Sequence, residues 1–296
     1  MRSCWSAFVP MLLTCALTGL IIPPCRADSF SFTTIDVPGA ISSSVYGINE
    51  TGEMVGFFND TGGNQHGFTR TASGLFTTID VPGASVTNAI GITDAGQIVG
   101  EYTEAGGKFY GFSRGPTGLF TAIEVPGGSL TSATGVNNAG QIVGSFSDRP
   151  GSTDVGGKFH GFLRAATGAL STIDVPGAIR TDARGINRAG EIVGDFRDAG
   201  GKYHAFLRST TGVFTIIDVP SAFGTGAYGI NDRREIVGAF MSGGKNHGFL
   251  RTATSEFITI DVPGAFGTSA FGINNTGRIV GEWYSAPGTH GFVTTR

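Results

Sequence analysis

The chain has 296 residues, 40% of them hydrophobic and 15% charged, with 49 glycines and a formal net charge of −3. Glycine at roughly one residue in six disfavours a helical protein, and 23 phenylalanines with so little net charge exclude disorder. Glycine does not recur every third residue, Gln/Asn tracts are absent, and no cluster of Lys and Arg offers itself to phosphates, so neither a collagen, a prion-like segment nor a nucleic-acid binder is expected.

At the N-terminus, Arg2 precedes an uncharged apolar run over residues 5–22, and Cys25-Arg26-Ala27 places small residues at the two specificity positions of a cleavage site. This reads as a secretory signal over residues 1–27, cleaved after Ala27. A run of this length can also span a bilayer, so an uncleaved anchor stays open at this point. Cys4, Cys15 and Cys25 all lie in this segment, so the domain over residues 28–296 is expected to be free of thiols and disulfides. It is expected to be a secreted, periplasmic or cell-surface monomer with no membrane span.

A repeat fills that domain. FTTIDVPGA-like segments begin at Phe32, Phe76, Phe120, Leu170, Phe214 and Phe257. Each is followed by a GIN-like triplet (Gly47, Gly91, Gly135, Gly185, Gly229, Gly272), an IVG-like triplet, and an HGF-like triplet starting at His66, Tyr110, His160, His204, His247 or His290. Unit lengths of 40–50 residues, punctuated by Gly, Pro and Asn, predict four short strands per unit. In the second unit these fall at residues 87–93, 97–102, 109–113 and 120–124, with Gly96 in a tight hairpin turn.

The repeat opens on a fourth strand, residues 32–36, and finishes on a third, residues 290–294. Pairing these two leftovers completes the last unit and leaves no exposed sheet edge. The expected fold is therefore all-β: a six-bladed β-propeller of four-stranded blades, closed by pairing of the N-terminal strand with the last blade. In Phe76-Thr77-Thr78-Ile79-Asp80-Val81 the phenylalanine should face one neighbouring blade and Ile79 and Val81 the other.

The GINxxGxIVG stretch followed by HGFLR, with a literal His204-Ala205-Phe206, resembles the bacterial HAF repeat, and does so through all six units. The resemblance implies export and a bacterial envelope or secreted setting. It implies no activity, substrate or catalytic residue.

Several residue sets invite a chemical reading. The five histidines share one repeat position, which favours a structural hydrogen bond tying the long loop to the neighbouring strand over metal ligation. The acid before Val-Pro-Gly (Asp36, Asp80, Glu124, Asp174, Asp218, Asp261) suits an Asx-type turn or, alternatively, a ring of carboxylates. Nucleophile, phosphate-loop and metal motifs are absent, so no catalytic residue, metal or cofactor is assigned.

Function is sought where the repeat is broken. On the expected inner strands, small residues of the scheme T-x-A-x-G suit a crowded axis, and the positions between them vary. There Asp182 and Arg184 supply charge and Tyr46 and Tyr228 supply rings, at what would be the channel mouth. Arg149 and Asp154 lie in a six-residue excess of the third unit, on loops expected to share one face with the VPGA loops. These residues point to a non-enzymatic binding or scaffold module for glycan, cell-envelope components or a surface protein. An extracellular glycan-active lyase or hydrolase using Asp182, Arg184, Tyr46 and Tyr228 stands as the alternative.

Overall fold

The computed structural model describes residues 30–148, 157–286 and 288–295. Residues 1–27, assigned above to a signal, and Arg149 and Asp154 of the third-unit excess lie outside the described residues. The described residues form strands and turns, and none of their helices is long and apolar enough to cross a membrane.

The strands assemble as antiparallel meanders of four. In unit one, Ser42–Ile48, Met54–Asn59, Gln65–Arg70 and Phe76–Ile79 pair in that order. Units two to five repeat the plan from the inner strands Ala84–Ile92, Ser129–Val136, Arg180–Ile186 and Gly224–Ile230. Unit six takes Gly267–Ile273, Ile279–Tyr284 and Thr289–Thr295 from the C-terminal end and Ser31–Ile35 from the N-terminal end, with Phe32 opposite Thr294 and Ile35 opposite Gly291. The expected pairing is present in the expected register, with the paired segment beginning and ending one residue earlier on the N-terminal strand. Inner strands start earlier than the pattern predicts, because the VPGA turn closes on itself (Ala84 N–H to Val81 O, 3.0 Å) and releases the chain directly into the strand. Gly96 sits in its hairpin turn at φ +78°, the left-handed region assigned to it.

The core is a set of layers between successive sheets. Each HGF-type phenylalanine (Phe68, Phe112, Phe162, Phe206, Phe249, Phe292) is fully buried. Phe76 packs against the layer holding Ile35, Val45 and Phe68, whereas Ile79 and Val81 belong to the layer holding Ala89 and Phe112, which is the two-sided burial expected of that strand. The layer of Ile35, Val280 and Val293 with Val45, Ile48 and Met54 places the sixth sheet on the first.

The GIN triplet has two tasks. Its glycine lets neighbouring inner strands touch: a Cβ on Gly185 would lie 2.7 Å from Tyr228 O, and one on Gly272 would lie 2.7 Å from Tyr46 O. Its asparagine both closes its own turn and reaches the next unit. Asn231 Oδ1 accepts the amides of Glu235 (2.9 Å) and Arg233 (3.1 Å), while Nδ2 donates to Asn274 O (3.1 Å). Asn274 in turn donates to Asn49 O at 3.1 Å. Unit two has Thr93 here, which keeps the turn bond to the Gln97 amide (3.0 Å). Asn231→Ala orphans buried groups costing about 1–3 kcal/mol each, so a loss of about 3 kcal/mol is expected in denaturant titrations, and about half of it for Asn231→Thr.

Two readings of recurring residues need correction. The threonine or serine of T-x-A-x-G is not merely small: Thr87 Oγ1 accepts the Val81 amide (3.1 Å), as do Ser43, Thr181, Thr225 and Thr268 in their units. That bond closes the Val-Pro loop, so the preceding aspartate is not needed for an Asx turn. It binds the histidine instead.

Candidate functional site

Each inner strand carries a β-bulge at one place, between Val45 and Gly47 in unit one and between Ala183 and Gly185 in unit four, with counterparts in the other units. The extra residue of a bulge leaves the ladder and its side chain is re-aimed. Here the six extra residues are Tyr46, Ile90, Thr134, Arg184, Tyr228 and Phe271, and all six line one cavity of about 260 Å³. A six-fold backbone device thus delivers six different side chains to a single place.

The cavity has an aromatic side and an acidic side. Tyr46 stacks on Phe271 (4.3 Å between centroids, 5° between planes), Tyr228 tilts against Phe271 at 5.5 Å, and Phe57 closes on Tyr46 at 5.6 Å. Opposite stands Glu101, which accepts Ser132 Oγ–H at 2.5 Å and Asn88 Nδ2–H at 3.1 Å. Glu282 nearby accepts from Ser44 Oγ at 2.6 Å and from the Tyr284 hydroxyl. Burial, followed by the charges of Glu282 and Glu101, pushes the Tyr46 hydroxyl far above its ordinary range. Tyr228 is pushed up to about 12 by burial and the Asp195 charge. Both phenols are neutral donors at any physiological pH.

Tyr46, Tyr228 and Arg184 therefore meet as the sequence suggested, with Phe271 between the two tyrosines. Asp182 does not join them. It is fully buried and faces Arg180 (Nε to Oδ2, 2.5 Å), with Arg184 Nη2 at 3.9 Å. Those two guanidiniums outweigh burial and hold its carboxyl below the usual range. Arg184 keeps 32% of its side chain exposed but is not a free donor, since Nε binds Asp195 Oδ1 at 2.9 Å. Asp195 shares this cation with Asp182 and is pushed up by burial. Arg184→Ala would consequently strand the buried Asp195 carboxyl, while Asp182 keeps Arg180, at about 3–5 kcal/mol, which makes it a test of folding more than of binding.

Sequence reasoning missed the position just after IVG, occupied by Phe57, Glu101, Ser145, Asp195, Ala239 and Glu282. It varies as freely as the inner-strand positions, and that variation was the available signal.

On the loop face the recurring histidine and aspartate form pairs. His66 Nδ1 lies 2.9 Å from Asp80, His204 Nδ1 2.6 Å from Asp218, and His290 Nδ1 2.9 Å from Asp36. The other ring nitrogen reaches the preceding long loop, at Asp60 (3.5 Å), Asp148 (3.4 Å) and Asp198 (3.2 Å). The long loops and VPGA loops thus share one face, held together by imidazole. Among the described residues no group of three or more His, Cys, Asp or Glu has metal-binding geometry.

Burial pulls the His66 and His204 pKa values down, but the hydrogen bonds their rings donate to aspartates win and both lie above 6.5. A raised histidine stabilises the fold below its unfolded pKa and loses that contribution as pH rises through the folded value. Asp60, held at about 2 by hydrogen bonds from Asn64, acts in the opposite sense, and its contribution is lost progressively as pH falls from 3.8 through about 2. Melting temperature should therefore be highest between these limits and decline above pH 6.5. The doubly substituted His66→Gln/His204→Gln protein should show a flattened alkaline arm in a pH series of thermal melts.

No protein-family model matches the sequence, and no curated protein does. The fold, however, is that of a β-propeller. It is similar to the β-propeller domain of the Trilobed protease from Pyrococcus furiosus, which has an open velcro topology (TM-score 0.51, 11% identity, 86% of this chain and 93% of that one). The Aleuria aurantia lectin in complex with Fucα1-6GlcNAc is likewise similar (TM-score 0.54, 11% identity, 89% and 97%). TolB from Acinetobacter baumannii gives a TM-score of 0.57 at 13% identity over 75% of this chain, which spans 54% of TolB. At these identities the likeness establishes the fold.

Proposed function

We propose that the chain is an exported binding module of HAF-repeat type, a closed six-bladed propeller that takes a glycan in the cavity on its axis. The ring is supported by the pairing of Ser31–Ile35 with Thr289–Thr295, by the core layer between sheets six and one, and by the Asn274 bond to Asn49 O. Export rests on residues 1–27, and an N-terminus at Asp28 in mass spectra of secreted protein is the expected result. Recovery of the intact chain in the membrane fraction would establish an anchor instead.

The observation that carries glycan binding is the convergence of the six bulge residues on one cavity. Stacked rings offer flat apolar walls, and Glu101, Asn88 and Ser132 offer the acceptors and donors that hydroxyl groups require. A lectin in complex with a disaccharide on a similar fold adds support. The charged side chains lining the cavity are Glu101 and Arg184, and Arg184 is already ion-paired to Asp195, so the charge left facing a ligand is that of Glu101, which favours a neutral or amine-bearing sugar over a carboxylated polymer.

Glycan-array screening of residues 28–296 followed by calorimetric titration tests this. Tyr228→Ala should weaken binding about tenfold, the order expected for one stacking contact, and its melt is read beside the titration because the ring also packs on Phe271. A protein that binds no arrayed glycan, or one whose ligand ignores Tyr228→Ala and Glu101→Gln, overturns the proposal.

A further inference from the structure

The axial cavity, at about 260 Å³, falls just below the roughly 300–1,000 Å³ of ordinary ligand pockets. It does not stand alone. A groove of about 430 Å³ meets it at Arg184 and Tyr228 and runs outward over the loop face between units four and five. Its outer end carries Tyr203, Phe223 and Met241, which are 41%, 74% and 47% exposed. Large apolar side chains left this open beside a polar cavity mark a place where something binds. Lys202 and Asn246 supply hydrogen-bonding groups along the same groove.

Phe223 occupies the position that follows each VPGA loop, where Ile41, Ile179 and Phe266 are also exposed and unit two has Ser85; what sets Phe223 apart is that Tyr203 and Met241 flank it in one groove that meets the cavity. Its ring is not held inward by any core layer, because Ala222 before it is the buried member of the turn. The unit-four long loop, which ends at Tyr203, is tied down by the Asp198–His204–Asp218 bridge, so the far wall of the groove is fixed in place. A rigid, partly aromatic groove that meets a cavity large enough for about one sugar suits a ligand with an end and a length.

We propose that the ligand is an oligosaccharide chain without acidic groups, with its terminal sugar in the axial cavity and its following sugars laid along the groove over Tyr203, Phe223 and Met241. This inference rests on the glycan reading and adds to it the polymeric class of the ligand and the direction in which it runs.

The test uses N-acetylglucosamine, its β-1,4-linked tetramer and a galacturonate tetramer as probes, titrated into secreted protein and into a Tyr203→Ala/Phe223→Ala variant. Both substituted side chains are substantially exposed, so the variant should keep its thermal melt. The N-acetylglucosamine tetramer should bind at least tenfold more tightly than the monomer. In the variant that gain should disappear while monomer affinity stays within twofold. Equal affinity for monomer and tetramer, or a variant that weakens both alike, overturns the extended mode and leaves the axial site standing. Tighter binding of the galacturonate tetramer overturns the charge argument. Failure of all three probes to bind overturns this ligand assignment, and failure of the whole glycan array overturns the glycan reading beneath it.

Discussion

Gly194→Ala yields no folded protein. In each unit the IVG glycine lies on the second strand directly opposite the start of the inner-strand bulge, Gly194 facing Ala183, and a Cβ on Gly194 would stand 2.0 Å from Asp182 O and 2.8 Å from the Phe206 ring. Neither neighbour can retreat. The carbonyl belongs to the strand that bears the axial bulge, and Phe206 is fully buried between sheets. Overpacking ordinarily costs about 1–3 kcal/mol when side chains can give way, and here the obstacle is backbone, so the loss exceeds that range. Gly161→Ala is the control. Its Cβ would meet Ile173 O at 3.0 Å, and unit four already carries a buried alanine, Ala205, at the equivalent position. Soluble yield and circular dichroism should separate the two, with Gly161→Ala folded and Gly194→Ala absent or molten.

Deletion of residues 28–37 should lower the melting temperature by about 10 °C or more. The deletion removes Ile35, which is buried on sheet one, and Phe32, whose ring meets Phe292 edge-on at 5.5 Å. Each such side chain contributes about 1.5–3 kcal/mol, and one kcal/mol shifts the midpoint of a domain this size by roughly 2–4 °C. It also bares the hydrogen-bonding edge of Thr289–Thr295, an invitation to aggregation. An unchanged calorimetric transition would mean that the N-terminal strand is dispensable, and the proposed ring closure would fall with it.

Much of this architecture was legible because the repeat displays the same physical constraint six times. Strand number, the fourth strand borrowed from the N-terminus and the two-sided burial of Phe76 and Ile79 all follow from alternation and spacing. The histidine–aspartate pairing was legible too, but only by reading two positions jointly: the unit that has Tyr110 in place of histidine also has Glu124 in place of aspartate. Taken one at a time, the acids resemble turn residues. The role of Arg184 was hidden for a different reason. Asp195 comes to it across the sheet, eleven residues away, and the bulge that aims Arg184 at the axis adds a residue to the ladder without leaving a mark in the alternation pattern.

That bulge also separates two kinds of evolutionary freedom. Along residues 181–185, Thr181 ties the loop, Ala183 packs against Gly161 and Gly185 admits the neighbouring strand, so these positions answer to the scaffold. Arg184, outside the ladder, is turned to the cavity and held there by Asp195. Because each unit contributes one such residue through the same backbone, the cavity wall is like a six-letter word, one letter per unit. A single substitution at Ile90 changes one letter without touching the ladder, whereas Thr134 also donates to Ala183 O of the next inner strand at 2.7 Å and is tied to the scaffold. The wall of the cavity and the frame around it are thus written largely at different positions of the same strand.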